Sequence, residues 1–262
     1  MNSTQHERGE RFAALHVGEP FVIPNPWDAG SARMLEAIGF PALASTSSGF
    51  AFTLGRRDGA VTLDEVASHT AALAAVTDLP LSVDLEHGYA DDPDGVAAAV
   101  ARVAGAGAVG ASIEDFGPEA GIYAREQAVE RLGRAVETAR GLGFPFTLTA
   151  RAENHIRGNP DLDDTITRLQ AYEEAGADVL YAPGLRSGEE IRAVCRAVSR
   201  PVNVLALGDL TRDQIADAGA QRISVGGRLT WAAVAAATAA ATAIRDRGDF
   251  SLLTGGAPEW LR

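Results

Sequence analysis

Short apolar and β-branched runs alternate with amphipathic, alanine-rich segments along most of the 262-residue chain. Continuous apolar runs of about four to eight residues are typical of strands in a parallel sheet that is covered on both faces. The pattern predicts eight such strands, at residues 21–24, 42–46, 81–86, 110–115, 146–153, 179–183, 202–206 and 222–227.

The segments between these runs carry apolar residues at helical spacing and commonly end at glycine. The clearest helices are predicted at residues 62–76, 91–108, 125–143, 162–177 and 187–200. Thr62 and Glu65 form a capping-box pattern at the start of the first of these. Strand–helix alternation repeated eight times favours an α/β fold of the (β/α)8 TIM-barrel type over an open doubly wound sheet. No GxGxxG motif follows the first strand, which also disfavours a dinucleotide-binding fold. We therefore expect one barrel domain over residues 1–262, with an N-terminal lead-in and a C-terminal helical extension.

Charge and hydropathy narrow the classes of partner. The formal net charge is -12, which disfavours nucleic acid and anionic membranes as partners. A small anionic substrate can still bind where arginine or a cation is concentrated. No apolar run approaches the roughly 18 residues of a membrane-spanning helix, and the first residues lack the layout of a signal peptide. These features predict a cytoplasmic protein.

Two residue types restrict the chemistry. Cys195 is the single cysteine, which excludes an internal disulfide and a multi-cysteine metal site, and its apolar helical surroundings predict a core position. The sequence contains no lysine, so mechanisms that need a Schiff-base amine are excluded.

Polar residues follow the predicted strands at the end where TIM barrels carry their chemistry. They are Trp27 and Asp28, Ser47 and Ser48, Asp84 and Glu86, Glu114 and Asp115, and Arg151 and Glu153. Asp84, Glu86 and Glu114 are hard oxygen ligands without a histidine or cysteine cluster, a set that suits Mg²⁺ or Mn²⁺. A solvated junction between strand and turn would also explain the acids after strand three. We expect His87 to orient its neighbours.

The remaining candidates concern an anionic substrate. An arginine inside a buried strand needs an anionic partner, so Arg151 is predicted either to bind a substrate carboxylate or to form a salt bridge with Glu153 or Glu114. Backbone N–H groups at Ser47 and Ser48 could hold a carboxylate. Asp58 is either a turn residue or a hydrogen-bond partner of metal-bound water.

A glycine- and proline-containing stretch at residues 116–126 follows the fourth strand directly. This composition indicates either a lid that excludes water or a plain loop. Tyr123 and Arg125 are the candidates for proton transfer in this stretch.

A set of motifs in barrel order resembles the isocitrate lyase / phosphoenolpyruvate mutase superfamily over roughly residues 20 to 245. The motifs are NPWDAGSARMLEAIGF, TSSGFAFTLGRRDG, VDLEHGYADDP, SIEDFG, TARAENHIRG, PVNVLA and RISVGG. The resemblance implies a Mg²⁺-dependent barrel that acts on 2-oxo or 2-hydroxy carboxylates. It also implies a homo-oligomer, a dimer or tetramer, with a C-terminal helix exchanged between subunits.

The resemblance also implies roles for single residues. Asp84, Glu86 and Glu114 match the acidic metal shell, although family members commonly have Asp at the position of Glu86. Arg151 matches the arginine that steadies the anionic end of the substrate, and Ser47 and Ser48 match the residues whose amides hold its carboxylate. Trp27 and Asp58 match positions at the active-site wall and at metal-bound water.

Departures from the motifs leave several reactions open. The stretch 116–126 has neither the cysteine nor the lysine of isocitrate and methylisocitrate lyases, and residues 181–184 offer no histidine of the mutase kind. We expect a Mg²⁺-dependent carbon–carbon lyase that works through a pyruvate-enolate-like intermediate. The alternatives are an oxaloacetate hydrolase or decarboxylase, an enzyme of P–C bonds such as a phosphoenolpyruvate mutase or phosphonopyruvate hydrolase, and a catalytically silent metabolite-binding barrel.

Overall fold

Eight parallel strands form a nearly closed barrel in the computed structural model, which describes residues 4–256 and 258–259. The strands, with a small hairpin of β5 and β6, are β1 (Phe21–Ile23), β2 (Leu43–Ala44), β3 (Leu81–Asp84), β4 (Gly110–Glu114), β5 (Phe116–Gly117), β6 (Gly121–Ile122), β7 (Thr147–Arg151), β8 (Val179–Tyr181), β9 (Val202–Leu205) and β10 (Arg222–Ser224). The barrel order is β1-β10-β9-β8-β7-β4-β3-β2. A hydrogen bond of 3.1 Å from the Ala44 N–H to the Pro24 carbonyl links the two ends of the sheet. The predicted (β/α)8 TIM barrel is confirmed.

Ten helices accompany these strands within the described residues. They are α1 (Gln5–Leu15), α2 (Ala29–Ile38), α3 (Ser47–Thr53), α4 (Leu63–Ala74), α5 (Pro93–Gly105), α6 (Arg125–Gly141), α7 (Leu162–Glu174), α8 (Gly188–Ala197), α9 (Arg212–Asp217) and α10 (Arg228–Arg247). The capping box predicted for α4 is present, with the Thr62 side chain accepting from the Glu65 N–H.

The core lies between the barrel and its ring of helices. Alanine and valine dominate the buried face of α5, which packs closely against α6. Helix α1 covers the amino ends of the strands, where Phe12 is fully buried against Phe21, Ile23 and Val109. The opposite end of the barrel therefore stays open for a site.

Helix α10 differs from the others in how little of it is buried. Only Thr230, Ala240 and Ala243 are buried along its 20 described residues. None of the described helices has the length and apolar character that crossing a membrane requires.

Candidate functional site

Strand register brings three of the sequence-predicted residues together at the carboxyl end of the barrel. Glu114 ends β4 and pairs with Arg151 at the end of β7, and Asp84 ends the neighbouring strand β3. Because parallel strands end at the same face of a barrel, the three side chains meet there.

The guanidinium of Arg151 lies at the centre of this acidic group. Its Nη1 atom is 3.3 Å from Glu114 Oε2 and 3.8 Å from Asp84 Oδ1. Its Nε donates to Glu153, whose side chain has no exposed surface. Arg151 thus makes the salt bridges that one reading of the sequence predicted, while 17% of its side chain stays exposed toward the cavity.

Glu86 lies beyond the end of β3 and is positioned by the backbone turn after the strand, not by the alternation of side chains along it. The strand ends at Asp84, and Glu86 adopts a left-handed backbone conformation with φ of 47°. Tyr89, also left-handed with φ of 58°, donates a hydrogen bond of 2.6 Å from its hydroxyl to Glu86 Oε1. Left-handed conformations are costly for residues other than glycine and concentrate at functional sites.

Two of the carboxyl groups are buried enough to resist ionisation. Burial raises the pKa of Glu86 to about 7, and the negative charges of Asp84 and Asp58 act in the same direction. Burial also raises the pKa of Glu114 well above its ordinary value, although Arg151 opposes this effect. A bound cation would favour the ionised forms of both groups.

Asp84 is held by the loop after β2. The Ser47 N–H donates to Asp84 Oδ2 at 3.1 Å, and the Asp84 N–H donates to Ser45 Oγ at 2.9 Å. Its second carboxylate oxygen, Oδ1, is buried and accepts no hydrogen bond within the described part of the chain. A buried carboxylate oxygen without a hydrogen-bond donor is unusual and leaves room for a ligand.

An outer cavity of about 270 Å³ opens above these residues. Five of the predicted site residues line it, namely Ser47, Asp58, Glu86, Glu114 and Arg151. The rest of its lining is Gly59, His87, Phe116, Pro118 and Arg157. Phe116 and Pro118 belong to the segment predicted as a lid, which the structure folds into the β5–β6 hairpin at the cavity edge.

A smaller chamber of about 60 Å³ lies deeper in the barrel and shares Arg151 with the outer cavity. Its lining includes Asp84, Ser45, Thr46, Tyr181 and Arg222. Arg222 is 4% exposed and donates from Nε to Asn203 and from Nη2 to Thr149. The signal that identified Arg151, an arginine inside an apolar strand, also marks Arg222, and our sequence reasoning missed it.

Three predicted residues lie away from both cavities. Trp27 lines a separate apolar groove with residues of α10, and its place in the active-site wall stays a prediction. Ser48 lies next to Thr46, with 3.3 Å between the two hydroxyls, and only its neighbour Ser47 reaches the outer cavity. Tyr123 is 2% exposed and its hydroxyl donates to Asp91, and its role in proton transfer stays a prediction.

The later acids after β3, Asp91, Asp92 and Asp94, have two different roles. Asp92 caps α5 and Asp94 lies in its first turn, as expected for a solvated helix start. Asp91 instead accepts from the Tyr123 hydroxyl. Arg125, the other candidate for proton transfer, is exposed at the start of α6 and forms an ion pair with Glu126.

The donor set fits a magnesium ion that keeps several waters. Within residues 4–256 and 258–259, no three His, Cys, Asp or Glu side chains already converge in an arrangement that coordinates a metal. Mg²⁺ commonly binds through only one or two carboxylates and retains water for its other positions. The Oδ1 atom of Asp84, which accepts no hydrogen bond within the described residues, is available as one direct ligand from the deeper chamber. Glu86, Glu114 and Asp58 line the outer cavity beside it, where they could hold waters.

Comparison with known proteins places the whole barrel in one group. The family model described as phosphoenolpyruvate phosphomutase matches residues 12–245. A crystal structure provisionally described as a lyase or mutase from Burkholderia cenocepacia is 51% identical, with a TM-score of 0.95 over 97% of this chain and 94% of that one.

Two relatives with assigned activities are also similar. An oxaloacetate decarboxylase from Bradyrhizobium diazoefficiens is 33% identical over 74% of this chain and 69% of its own length. A 2-methylisocitrate lyase from Halalkalibacterium halodurans is 30% identical over 76% of this chain and 67% of its own length.

Proposed function

Because the chain belongs to the phosphoenolpyruvate phosphomutase family, within the isocitrate lyase / phosphoenolpyruvate mutase superfamily that its motifs predicted, we propose that it is a Mg²⁺-dependent carbon–carbon lyase. Its proposed substrate is a small 2-oxo or 2-hydroxy carboxylate, which is cleaved to leave a pyruvate-enolate-like product. Lyases and mutases are both known in this superfamily, so the choice between them depends on the site.

One observation carries the proposal. Arg151 Nη1 and Asp84 Oδ1, an oxygen that accepts no hydrogen bond within the described residues, lie 3.8 Å apart between the outer cavity and the deeper chamber. An arginine fork binds a carboxylate, while a carboxylate oxygen without a hydrogen-bond donor can bind a cation. The carboxylate of a metal-bound 2-oxo acid could therefore bind to Arg151 while its metal ion binds to Asp84.

The chain's own residues would bind and orient the substrate. Arg151 would take the carboxylate next to the 2-oxo or 2-hydroxy carbon, and Asp84 would be the direct ligand of Mg²⁺. Glu86, Glu114 and Asp58 would hold its waters. When bound, the cation supplies Lewis-acid stabilisation of the negative charge that develops on the substrate oxygen.

Two further features support this assignment. The β5–β6 hairpin stands over the outer cavity at Phe116 and Pro118 and would exclude water during the reaction. An oxaloacetate decarboxylase and a 2-methylisocitrate lyase resemble this chain, and both names denote the cleavage of a carbon–carbon bond. Decarboxylation of an oxaloacetate-like substrate is therefore the second candidate.

Calorimetry with Mg²⁺ and oxalate, which mimics the pyruvate enolate, tests the site without assuming a reaction. We expect oxalate to bind only with Mg²⁺, and Asp84→Asn to weaken Mg²⁺ binding at least about 100-fold, since a charged ligand is replaced by a neutral one. Asp94→Asn is the matched control, because Asp94 is a solvated acid with 79% of its side chain exposed. Equal Mg²⁺ affinity in the two variants would overturn the proposed site and favour a catalytically silent barrel.

Parallel assays with oxaloacetate, 2-methylisocitrate and phosphonopyruvate then identify the reaction. Turnover of either carbon substrate supports the proposal. Turnover of phosphonopyruvate alone would assign the protein to P–C bond chemistry instead.

A further inference from the structure

Arg157 supplies a second guanidinium to the wall of the outer cavity, in addition to that of Arg151. It follows β7 in a tight turn and lies on the opposite side of Glu153 from Arg151, since both arginines donate through Nε to the two oxygens of that carboxylate. Its side chain is 38% exposed, in contrast to the 17% of Arg151.

Most of the hydrogen-bonding capacity of Arg157 is unused. The Nε atom donates to Glu153 Oε2 at 2.9 Å. The Nη2 atom lies 3.7 Å from Glu114 Oε1, which is within ion-pair range but beyond hydrogen-bond distance. Within the described residues neither Nη atom donates a hydrogen bond, so four of the five N–H groups of this side chain have no protein acceptor.

The guanidinium is nevertheless held in place. Its plane stacks on the ring of Phe116, with 3.8 Å from Cζ to the ring centroid. The turn that carries it is closed by a hydrogen bond of 3.0 Å from the Asn159 N–H to the Asn154 carbonyl. The side chain of Asn154, itself 1% exposed, donates at 2.9 Å to Thr165 on α7.

The guanidinium of Arg157 is fixed at its Nε and at one face, and both of its Nη groups remain free to donate beside the cavity. This arrangement can bind a carboxylate by donating two parallel hydrogen bonds. An arginine with a purely structural role at this place would donate hydrogen bonds from its Nη atoms to Glu114 or Glu153. The cavity of about 270 Å³ is small beside sites for drug-sized ligands, which occupy roughly 300–1,000 Å³, and is suited to a compact metabolite.

We propose that Arg157 binds the distal carboxylate of the substrate, so that the enzyme acts on dicarboxylates in preference to monocarboxylic 2-oxo or 2-hydroxy acids. Arg151 takes the carboxylate next to the reacting oxygen and Arg157 the one at the far end. This inference rests on the proposed function, because it assumes that the first carboxylate lies at Arg151 and Asp84.

A matched pair of ligands tests the inference. Malate and 2-hydroxybutanoate share the 2-hydroxy acid end. At the distal end malate has a carboxylate, whereas 2-hydroxybutanoate has a methyl group. With Mg²⁺ present and each enantiomer measured by calorimetry, we expect the wild-type protein to bind the preferred enantiomer of malate at least 10-fold more tightly than 2-hydroxybutanoate. Arg157→Gln is expected to remove this difference, and Arg157→Lys to restore part of it.

Oxalate is the internal control, since it occupies only the end at Mg²⁺ and Arg151. Its affinity is expected to stay within about 2-fold in Arg157→Gln, which also shows that the variant is folded. Arg134→Gln is the matched control variant, because Arg134 is 46% exposed on α6 and pairs only with surface acids. It should bind all three ligands as the wild type does.

The outcomes separate the two proposals. If oxalate does not bind the wild-type protein with Mg²⁺, the proposed function fails. If oxalate binds but malate shows no advantage over 2-hydroxybutanoate, or keeps its advantage in Arg157→Gln, the role of Arg157 is wrong while the metal site stands.

Discussion

Glu86 combines two unfavourable features, a buried carboxyl group and a left-handed backbone, at a single residue of the outer cavity. Neither feature stabilises the protein without a ligand. Both become useful if the side chain helps to hold a cation, since a nearby positive charge favours the ionised carboxylate. Strain and desolvation at this residue are therefore consistent with a site prepared for a metal.

The titration of Glu86 predicts how stability depends on pH when no divalent ion is present. Burial raises its pKa to about 7 in the folded chain, whereas the unfolded chain titrates near 4.5. Between these values the unfolded chain binds fewer protons than the folded chain, so the free energy of unfolding decreases as pH rises. The folded chain therefore carries no penalty for ionising Glu86 below about pH 4.5 and the full penalty above about pH 7, which lowers the free energy of unfolding by about 3 kcal/mol at most.

Urea unfolding in EDTA between pH 4.5 and pH 8 measures this effect. Glu86→Gln should flatten the decline, while Glu119→Gln, at an exposed acid of the hairpin turn, should leave it unchanged. Glu114 is shifted in the same direction, so part of the decline remains in the first variant. Added Mg²⁺ should raise stability more at pH 8 than at pH 6, because it binds the ionised carboxylates. Parallel curves for the wild type and Glu86→Gln would contradict the assigned burial of Glu86, whereas buried histidines such as His16, whose pKa is lowered by burial, affect both curves equally.

At the residue scale, sequence reasoning can locate side chains that lie inside or at the end of a strand, while their roles stay predictions. Asp84, Glu114 and Arg151 were found because strand ends define one face of a barrel. Glu86 was found, but its place depends on a left-handed turn that no periodicity reveals. Arg157 was missed because it follows the strand by six residues, and only the folded turn brings it back to the cavity.

Arg131 links two elements that the site depends on, the loop between β3 and α5 and the helix α6. It is 1% exposed and donates from Nη2 to the carbonyl of His87 and, at 2.7 Å, to the carbonyl of Ala90. Its guanidinium also lies 4.1 Å from the ring centroid of Tyr123. The loop that carries Glu86 is therefore fixed by a helix behind it.

Arg131→Met is expected to lower the free energy of unfolding by about 2–3 kcal/mol, because two loop carbonyls lose their donor. It should also weaken Mg²⁺ binding, since the turn that carries Glu86 is no longer held. Arg134→Met, on the exposed face of the same helix, should cost at most about 0.5 kcal/mol. Denaturant unfolding and calorimetry of both variants measure the two effects. Equal stability of the two variants would show that the loop holds its shape without Arg131.

At the scale of elements, hydrophobic runs located all eight barrel strands but overestimated their lengths. The second run, at residues 42–46, contains only the two-residue strand β2, because Ser45 and Thr46 turn inward toward the chamber and α3 begins at Ser47. The segment 116–126 was recognised as special from its glycine and proline. Its hairpin could not be predicted, since two strands of two residues carry no periodic signal.

Helix α10 raises a question for the molecule as a whole, because most of its side chains are not buried by the described part of the chain. Trp231 and Phe52 are 46% and 42% exposed, and their rings lie 5.5 Å apart. Beside them a groove of about 480 Å³ is lined by Trp27, Val234 and several alanines of α10. Contiguous apolar surface of this kind marks protein–protein interfaces. It supports the prediction of a homo-oligomer, and exchange of α10 between barrels remains a prediction.

Ala237 lies in this groove and offers a direct test of that assembly. Ala237→Arg would place a long charged side chain in an apolar interface, where an unpaired charge is strongly disfavoured. We expect light scattering after gel filtration to give a dimer or tetramer for the wild-type chain and a smaller species for this variant. Ala101→Arg is the matched control, since Ala101 is exposed on α5 and far from the groove in the barrel ring, and it should leave the mass unchanged. A wild-type monomer, or an Ala237→Arg oligomer of unchanged mass, would show that the exposed face of α10 is not the interface. The apolar groove would then be open to another partner.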